Sequence, residues 1–261
     1  MQKKNNLLLA VPFYNEEKKI KRCLQQLLKY RSRMKTISHK KRDSQTERKK
    51  RERERETARF DIVFINDGSL DNSVNLIKKI LKHNFVILNH KINKGYGAAV
   101  KTAFKYALKK NYKQFIIFPS DNQRRLKDIF SMLNLINKKK LDYVVGSKFH
   151  LMDNIPLHRK KGNLFFSFLS KLWLNKTSDV LSGFKIYCVS KTLGKIILNC
   201  PNNYSFDLVL NFYSNIKKMK FNEINVHCDY KDHSSKMSNP YLIFFIMLFD
   251  LFLSIKKLKS L

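Results

Sequence analysis

The sequence predicts an α/β domain: a mostly parallel central sheet with helices on both faces. Three observations carry this. Short runs of consecutive apolar residues recur along the first 150 positions. Amphipathic segments at helical spacing separate them. Polar, often glycine-bearing loops follow the runs. Strands that are apolar throughout are buried on both faces, which is the habit of parallel sheets. In such sheets ligands sit beyond the carboxyl ends of the strands. The residues after each run are therefore the candidate site.

The elements follow in order. "LLLAV" (Leu7 to Val11) reads as a strand. Glu16 to Tyr30 reads as a helix, with Ile20, Leu24, Leu27 and Leu28 on one face. "DIVFI" (Asp61 to Ile65) is a second strand, and Asp71 to Lys82 a second helix with Asp71 or Asn72 as N-cap. "FVIL" (Phe85 to Leu88) and the helix Gly97 to Lys110 come next. "FIIF" (Phe115 to Phe118) leads to a helix with Leu126, Ile129, Phe130, Leu133 and Ile136 at helical spacing. "YVVG" (Tyr143 to Gly146) is a fifth strand. The loops that matter follow these runs: 12–16, 66–69, 93–97, 121–123 and 147–148.

The chain has 261 residues, 43% of them hydrophobic, enough for a substantial core and too many for wholesale disorder. The net charge of +33 calls for anionic partners: nucleic acid, an anionic membrane or phosphorylated substrates. Lysine-rich composition of the genome is an equal contributor. The four cysteines are scattered with no C-x-x-C spacing, which fits a reducing compartment, and the seven histidines form no H-E-x-x-H pair. "MQKKNN" leads into only five apolar residues, too few for the apolar region of a signal peptide.

Residues 31–59 interrupt the rhythm. They hold 13 Lys or Arg against 5 Asp or Glu and almost nothing apolar. Such a stretch buries no face, so it reads as an insertion, either disordered or a solvated helix. It serves as an electrostatic tether or is a neutral insertion in a tolerant loop.

Taken together, "VPFYNEEKKI", "INDGSLDNS", "NKGYGAAVKTAF", "FPSDNQ", "GSKF" and "DVLSGFKIY" resemble glycosyltransferase family 2, in particular its branch near the dolichol-phosphate mannosyltransferases. "YSFDLVL" and "DHSSKMS" are similar to further segments of that family, so the resemblance runs from Leu7 to about Ser238 around the insertion. It implies the GT-A (nucleotide-diphospho-sugar transferase) fold, a UDP- or GDP-linked sugar donor, and a divalent cation, Mg²⁺ or Mn²⁺. By family position, Pro12, Tyr14, Glu16 and Asp67 rim the donor pocket. Asn66 stands where an Asp is frequent. Gly95 and Gly97 let the backbone approach the donor, with Lys94 adding charge; a plain turn before a helix is the other reading. Lys148 stands in "GSK" where the family has Arg, and supplies a point charge without a fork.

The same resemblance aligns "FPSDNQ" with D-x-D-x-Q. Pro119 falls on the first Asp, Asp121 on the second and Gln123 on the Gln. A hard cation takes oxygen ligands and can use one carboxylate with substrate phosphates and water. Asp121 and Gln123 are thus the implied metal ligands. Asp179 is the implied acceptor-side carboxylate, or else a bond within the "LSG" turn. Lys185, Ser235 and Lys236 are the implied holders of an acceptor phosphate, with Lys231 or His233 as guesses. Val209 stands where the family's F-D-x-E segment has Glu, beside a retained Asp207. The implied reaction is attack of a lipid-linked oxygen, most simply of a polyprenyl phosphate, on the anomeric carbon. A phosphate oxygen is already anionic near neutral pH and needs no strong base. The alternatives are a catalytically degenerate member, or a basic scaffold or nucleic-acid-binding protein. The sequence has no RRM, KH or zinc-finger signature, so nucleic acid is not the expected partner.

The tail from Tyr241 to Ile255 is strongly apolar, broken by Asp250 and followed by Lys256, Lys257 and Lys259. It falls short of the ~20 residues a span needs and reads as a helix lying at a membrane interface. Residues 162–175, with Trp173, form a second such candidate. Burial in a core or contact between two copies is the other use of these segments. The expectation is a single catalytic domain at 1–239 and a separate C-terminal helix at 240–261. The protein would be cytoplasmic, peripheral on the cytoplasmic face of an anionic membrane.

Overall fold

The computed structural model describes residues 6–39, 60–82, 85–150, 157–174, 179–229 and 239–257. Its first half alternates strand and helix: β1 (Leu7–Phe13), α1 (Glu17–His39), β2 (Asp61–Asn66), α2 (Ser73–Leu81), β3 (Val86–Asn89), α3 (Tyr96–Lys109), β4 (Gln114–Ile117), α4 (Asp128–Lys139) and β5 (Tyr143–Ser147). The second half adds α5 (Leu157–Leu174), β6 (Lys185–Cys188), α6 (Lys191–Asn199), α7 (Phe206–Ile216), β7 (Phe221–Asn225) and α8 (Pro240–Lys256). One seven-stranded sheet has the order β3-β2-β1-β4-β6-β5-β7. β6 alone runs antiparallel to its neighbours β4 and β5. The other pairings are parallel.

The continuous apolar strands have two cores to serve. Leu8, Ala10, Val63, Ile65, Phe115 and Ile117 point to one face. There they meet α3, α6, α7 and parts of α5 and α8. Leu9, Val11, Ile62, Phe64, Ile116 and Phe118 point to the other, against α1, α2 and α4. The period-2 alternation of side chains along a strand divides them this way. Across β4, β6, β5 and β7 an aromatic ladder pins the register. Phe115 stacks on Tyr187 at 4.7 Å, and Tyr143 stacks on Phe221 at 5.0 Å. These residues are cross-strand partners.

Two boundaries differ from expectation. α1 continues through His39, nine residues into the charged stretch, with no Gly or Pro to stop it. Residues 40–59 lie outside the described residues. At the other end, α8 is no separate appendage. Met247, Leu251 and Ser254 are buried on the core. Asp250 accepts hydrogen bonds from Asn203 Nδ2 (2.8 Å) and Ser205 Oγ (2.6 Å). The acid that interrupts the apolar tail thus adds a polar tie to the apolar packing of α8 on the domain. Among the described residues, no helix is long and apolar enough to cross a membrane.

Candidate active site

A cleft of about 1460 Å³ opens at the carboxyl ends of β1, β2, β4 and β5, where the strand order reverses between β1 and β4. Its first edge is made by two loops tied together. Asn15, at φ 49°, gives its N–H to Ser69 Oγ (3.0 Å) and accepts from Leu70 N (2.9 Å). Glu16 N donates to Ser73 Oγ (3.0 Å), and Glu17 N to the Asp71 carboxylate (2.8 Å). Pro12, Tyr14 and Glu16 line the cleft as expected. Asn66 is buried and bonds Asn89 and the Ser69 N–H instead, so it orders the loop from behind.

Asp67 lines the cleft, but its carboxylate is heavily engaged. It accepts from Lys94 N (3.0 Å) and Gly95 N (2.9 Å), and contacts His90 Nδ1 at 2.6 Å. His90 Nε2 meets Thr102 Oγ1 at 2.8 Å, which clips the loop to α3. Of the two glycines, one departs from the expectation. Gly95, at φ +93°, lines the cleft. Gly97 is buried, and a Cβ there would stand 2.3 Å from the Pro201 carbonyl oxygen. Its smallness admits the 201–203 loop, whose Asn202 carbonyl takes the Ala98 N–H. Close approach of backbone is the reason for Gly97, and the approaching chain is the protein's own.

The "PSDNQ" turn follows β4. Asp121 accepts from Gln123 N (3.0 Å), and Asn122 takes a left-handed φ of 64°. Gln123 Oε1 lies 3.8 Å from Cys228 Sγ, and Asp229 N donates to the Gln123 carbonyl. Burial, then the carboxylates of Asp121 and Glu16, push the Cys23 thiol up to about 12. Both acids therefore bear on one region. Among the described residues, no group of three His, Cys, Asp or Glu side chains could hold a metal. One carboxylate and one amide oxygen fit a divalent cation that is completed by anionic ligand oxygens and water. They do not fit a cation held by protein alone.

The far wall departs most from expectation. Lys148 lines the cleft, and its N–H donates to Asp179 Oδ2 (2.9 Å). Asp179 itself is buried away from the lining. Its Oδ2 takes the Lys148 N–H just past β5, its own N–H donates to Glu223 Oε1 on β7, and its Oδ1 is unpartnered among the described residues. Lys185 is corrected outright. It is fully buried on β6 beneath the cleft. Its ammonium is held by Asp207 at 2.5 Å and by the Ser182 carbonyl, and it has no exposed surface on which to meet an acceptor phosphate. Asp207, on the first turn of α7, lines the cleft. Burial raises its carboxyl above the ordinary range, against the pull of Lys185 and a bond from the Tyr96 hydroxyl. Val209, two positions on, packs in the core and not in the cleft. Ser235, Lys236, Lys231 and His233 lie outside the described residues, as does the side chain of Trp173.

The remaining wall is apolar. Phe166 of α5, Leu181, and Ile243, Phe244 and Met247 of α8 line it. Phe244 packs on Phe165 at 5.0 Å and Phe166 at 5.3 Å. Outside, the same two helices expose Phe168, Leu172, Phe245, Phe249 and Phe252. Sequence reading missed Tyr96, Asp207 and Arg124 as cleft residues. The first lies inside "NKGYG" between two glycines that drew attention, and the last directly follows Gln123.

A sequence model described as Glycosyl transferase family 2 matches residues 9–192. An uncharacterised protein of Methanocaldococcus jannaschii is 25% identical over 258 residues, 95% of this chain and 91% of that protein. UDP-N-acetylglucosamine–dolichyl-phosphate N-acetylglucosaminyltransferase of Methanococcus voltae is 25% identical over 94% of each chain. Among solved structures, glucosyl-3-phosphoglycerate synthase of Mycobacterium tuberculosis, in complex with Mn²⁺, UDP-glucose and phosphoglyceric acid, shares the fold. It superposes with a TM-score of 0.60 at 11% identity, over 95% of this chain and 79% of that one.

Proposed function

The chain belongs to glycosyl transferase family 2, and from that premise we propose that it moves a sugar from a UDP- or GDP-linked donor to a polyprenyl phosphate at a membrane surface. One observation carries the reading: a single cleft joins two chemistries. Its strand-end side presents Glu16, Asp67, Asp121 and Lys148. Its other side is the apolar wall of α5 and α8, whose outer faces expose aromatic residues beside Lys171 and Lys256. A nucleotide sugar suits the first side and a lipid-linked acceptor the second. The relative from Methanococcus voltae, which aligns over 94% of each chain, supports the lipid phosphate by its name.

In this reading Asp121 and Gln123 are the residues that would hold a divalent cation, which the donor's own oxygens and water would complete. When bound, the cation offsets the charge that grows on the leaving diphosphate. Glu16 and Asp67 orient the nucleoside, with Asp67 kept in place by His90 and the Lys94 and Gly95 amides. Lys148 faces the phosphates as a point charge. The acceptor phosphate oxygen attacks the anomeric carbon without a strong base. The apolar wall guides the lipid and excludes water from the sugar.

The test is a screen of nucleotide sugars with Mn²⁺ or Mg²⁺, with and without polyprenyl phosphate. Turnover only with the lipid is the expected result, and turnover of none would sink the reading. Membrane contact is tested with anionic vesicles. Phe249→Ser with Phe252→Ser should release the protein while it stays folded, because both side chains are exposed. Truncation at Asn239 is the wrong test, since it strips Met247 and Leu251 from the core.

A further inference from the structure

Arg124 is a buried cation with no carboxylate paired to it among the described residues. It is 4% exposed and lines the cleft one position after Gln123. Its guanidinium lies 5.8 Å from the centroid of the Phe184 ring. Nη1 reaches only the His227 carbonyl, at 3.5 Å, the weak limit of a hydrogen bond. Among the described residues, no Asp or Glu forms an ion pair with it. Arginine stays charged at any pH a protein meets, so burial cannot be relieved by losing a proton. A buried charge left unpaired is strongly unfavourable. A permanent charge held at a cleft wall, without a counter-ion among the described residues, is a site that an anion completes. The planar fork of the guanidinium matches phosphate oxygens. The same turn has one carboxylate, Asp121, and an uncharged Pro119 two positions before it.

We propose that Arg124 is a phosphate ligand of the cleft, a positive charge built into the strand-end turn that supplements a one-carboxylate cation site. This rests on the nucleotide-sugar reading above. The phosphate is the donor's diphosphate or the acceptor's monoester, which share the same chemistry. Its consequence is that phosphate binding persists in part without a divalent cation.

The experiment is calorimetric titration of the full chain with UDP, GDP, inorganic pyrophosphate and farnesyl phosphate, each in EDTA and in Mn²⁺. The parent, Arg124→Gln and Arg124→Lys are compared. The parent should bind pyrophosphate and one nucleotide in EDTA. Arg124→Gln should lose at least ~10-fold, and Arg124→Lys should keep part, having charge without the fork. Without ligand, Arg124→Gln should unfold at or above the parent's temperature, since an uncompensated charge has gone. A purely structural arginine would give a lower temperature and unchanged affinity, which overturns the proposal. Loss confined to UDP or GDP assigns the donor diphosphate, and loss confined to farnesyl phosphate assigns the acceptor; either supports the phosphate role. If the parent binds nucleotide and Arg124→Gln binds all probes equally well, the proposal is wrong and the donor reading stands. If the parent binds no nucleotide in either condition, the donor reading fails. Arg124 is then judged on pyrophosphate, and equal binding by parent and variant overturns it. Should Arg124→Gln not fold, Arg124→Lys decides by the same comparison.

Discussion

Lys185 and Arg124 are both buried cations beside Phe184, and the fold treats them in opposite ways. Lys185 follows Phe184 on β6 and is satisfied from within, by Asp207 at 2.5 Å and by the Ser182 carbonyl. Arg124 lies over the Phe184 ring, and among the described residues its guanidinium has only that ring and one distant carbonyl. The first charge is neutralised when the chain folds. The second is left for something that arrives. Burial alone therefore does not separate a structural cation from a binding one; the presence of a carboxylate does.

The comparison can be broken hardest at Lys185. Lys185→Met leaves Asp207 buried without its partner and should cost about 3–5 kcal/mol. Asp207→Asn should cost a similar amount, and the double variant much less than the two together. Denaturant unfolding of all four proteins measures this. A loss below ~1 kcal/mol in Lys185→Met would mean the pair is not what holds the lysine, since breaking buried pairs costs more. The pH dependence has a definite sign. Burial raises the Asp207 carboxyl in the folded protein. Its favourable contribution is therefore full below the unfolded value near ~3.9 and is lost as pH rises through the folded value. Without Lys185 that value rises further, so the deficit of Lys185→Met against the parent should widen from acid to neutral pH.

Asp121 sharpens the other side. Asp121→Asn keeps the turn's shape and removes the single carboxylate of the motif. It should lower cation-dependent donor binding and turnover by ~100-fold and leave unfolding unchanged. If Asp121 and Arg124 act on one diphosphate, the double variant Asp121→Asn with Arg124→Gln should not be additive. Additive losses, measured by titration, would place the two groups on different ligands.

The smallest effect is expected at Asp250, a carboxylate held among the described residues by the neutral donors Asn203 and Ser205. Asp250→Asn retains an acceptor oxygen and should cost ~1 kcal/mol. A cost equal to that of Lys185→Met would show that ion pairing is not what distinguishes Lys185.

Much of the cleft was legible before the fold. Pro12, Tyr14, Glu16, Asp67, Lys94, Gly95, Asp121 and Lys148 follow strands whose apolar runs announce them, and all line it. The misses share one cause. β6 is four residues long, Lys-Ile-Tyr-Cys, and enters the sheet antiparallel. Nothing local in those four residues says that Lys185 points into the core at Asp207, twenty-two positions away. Gly97 likewise looked like a donor loop because the 201–203 backbone that fills its space is about a hundred residues downstream.

By itself the sequence determined the alternating architecture, the two apolar faces of the central strands, and the chain of strand-end loops. These depend on periodicity and on residues near each other in the chain. It also determined that the D-x-D position holds a single carboxylate. Only the tertiary structure decided which charges meet. It paired Lys185 with Asp207, turned Asp179 inward, set Asp250 of α8 against Asn203 and Ser205, and left Arg124 at the cleft wall without a counter-ion among the described residues. Those outcomes rest on contacts between distant segments, where the cost of burying a charge is set by what else the fold brings within a few ångströms.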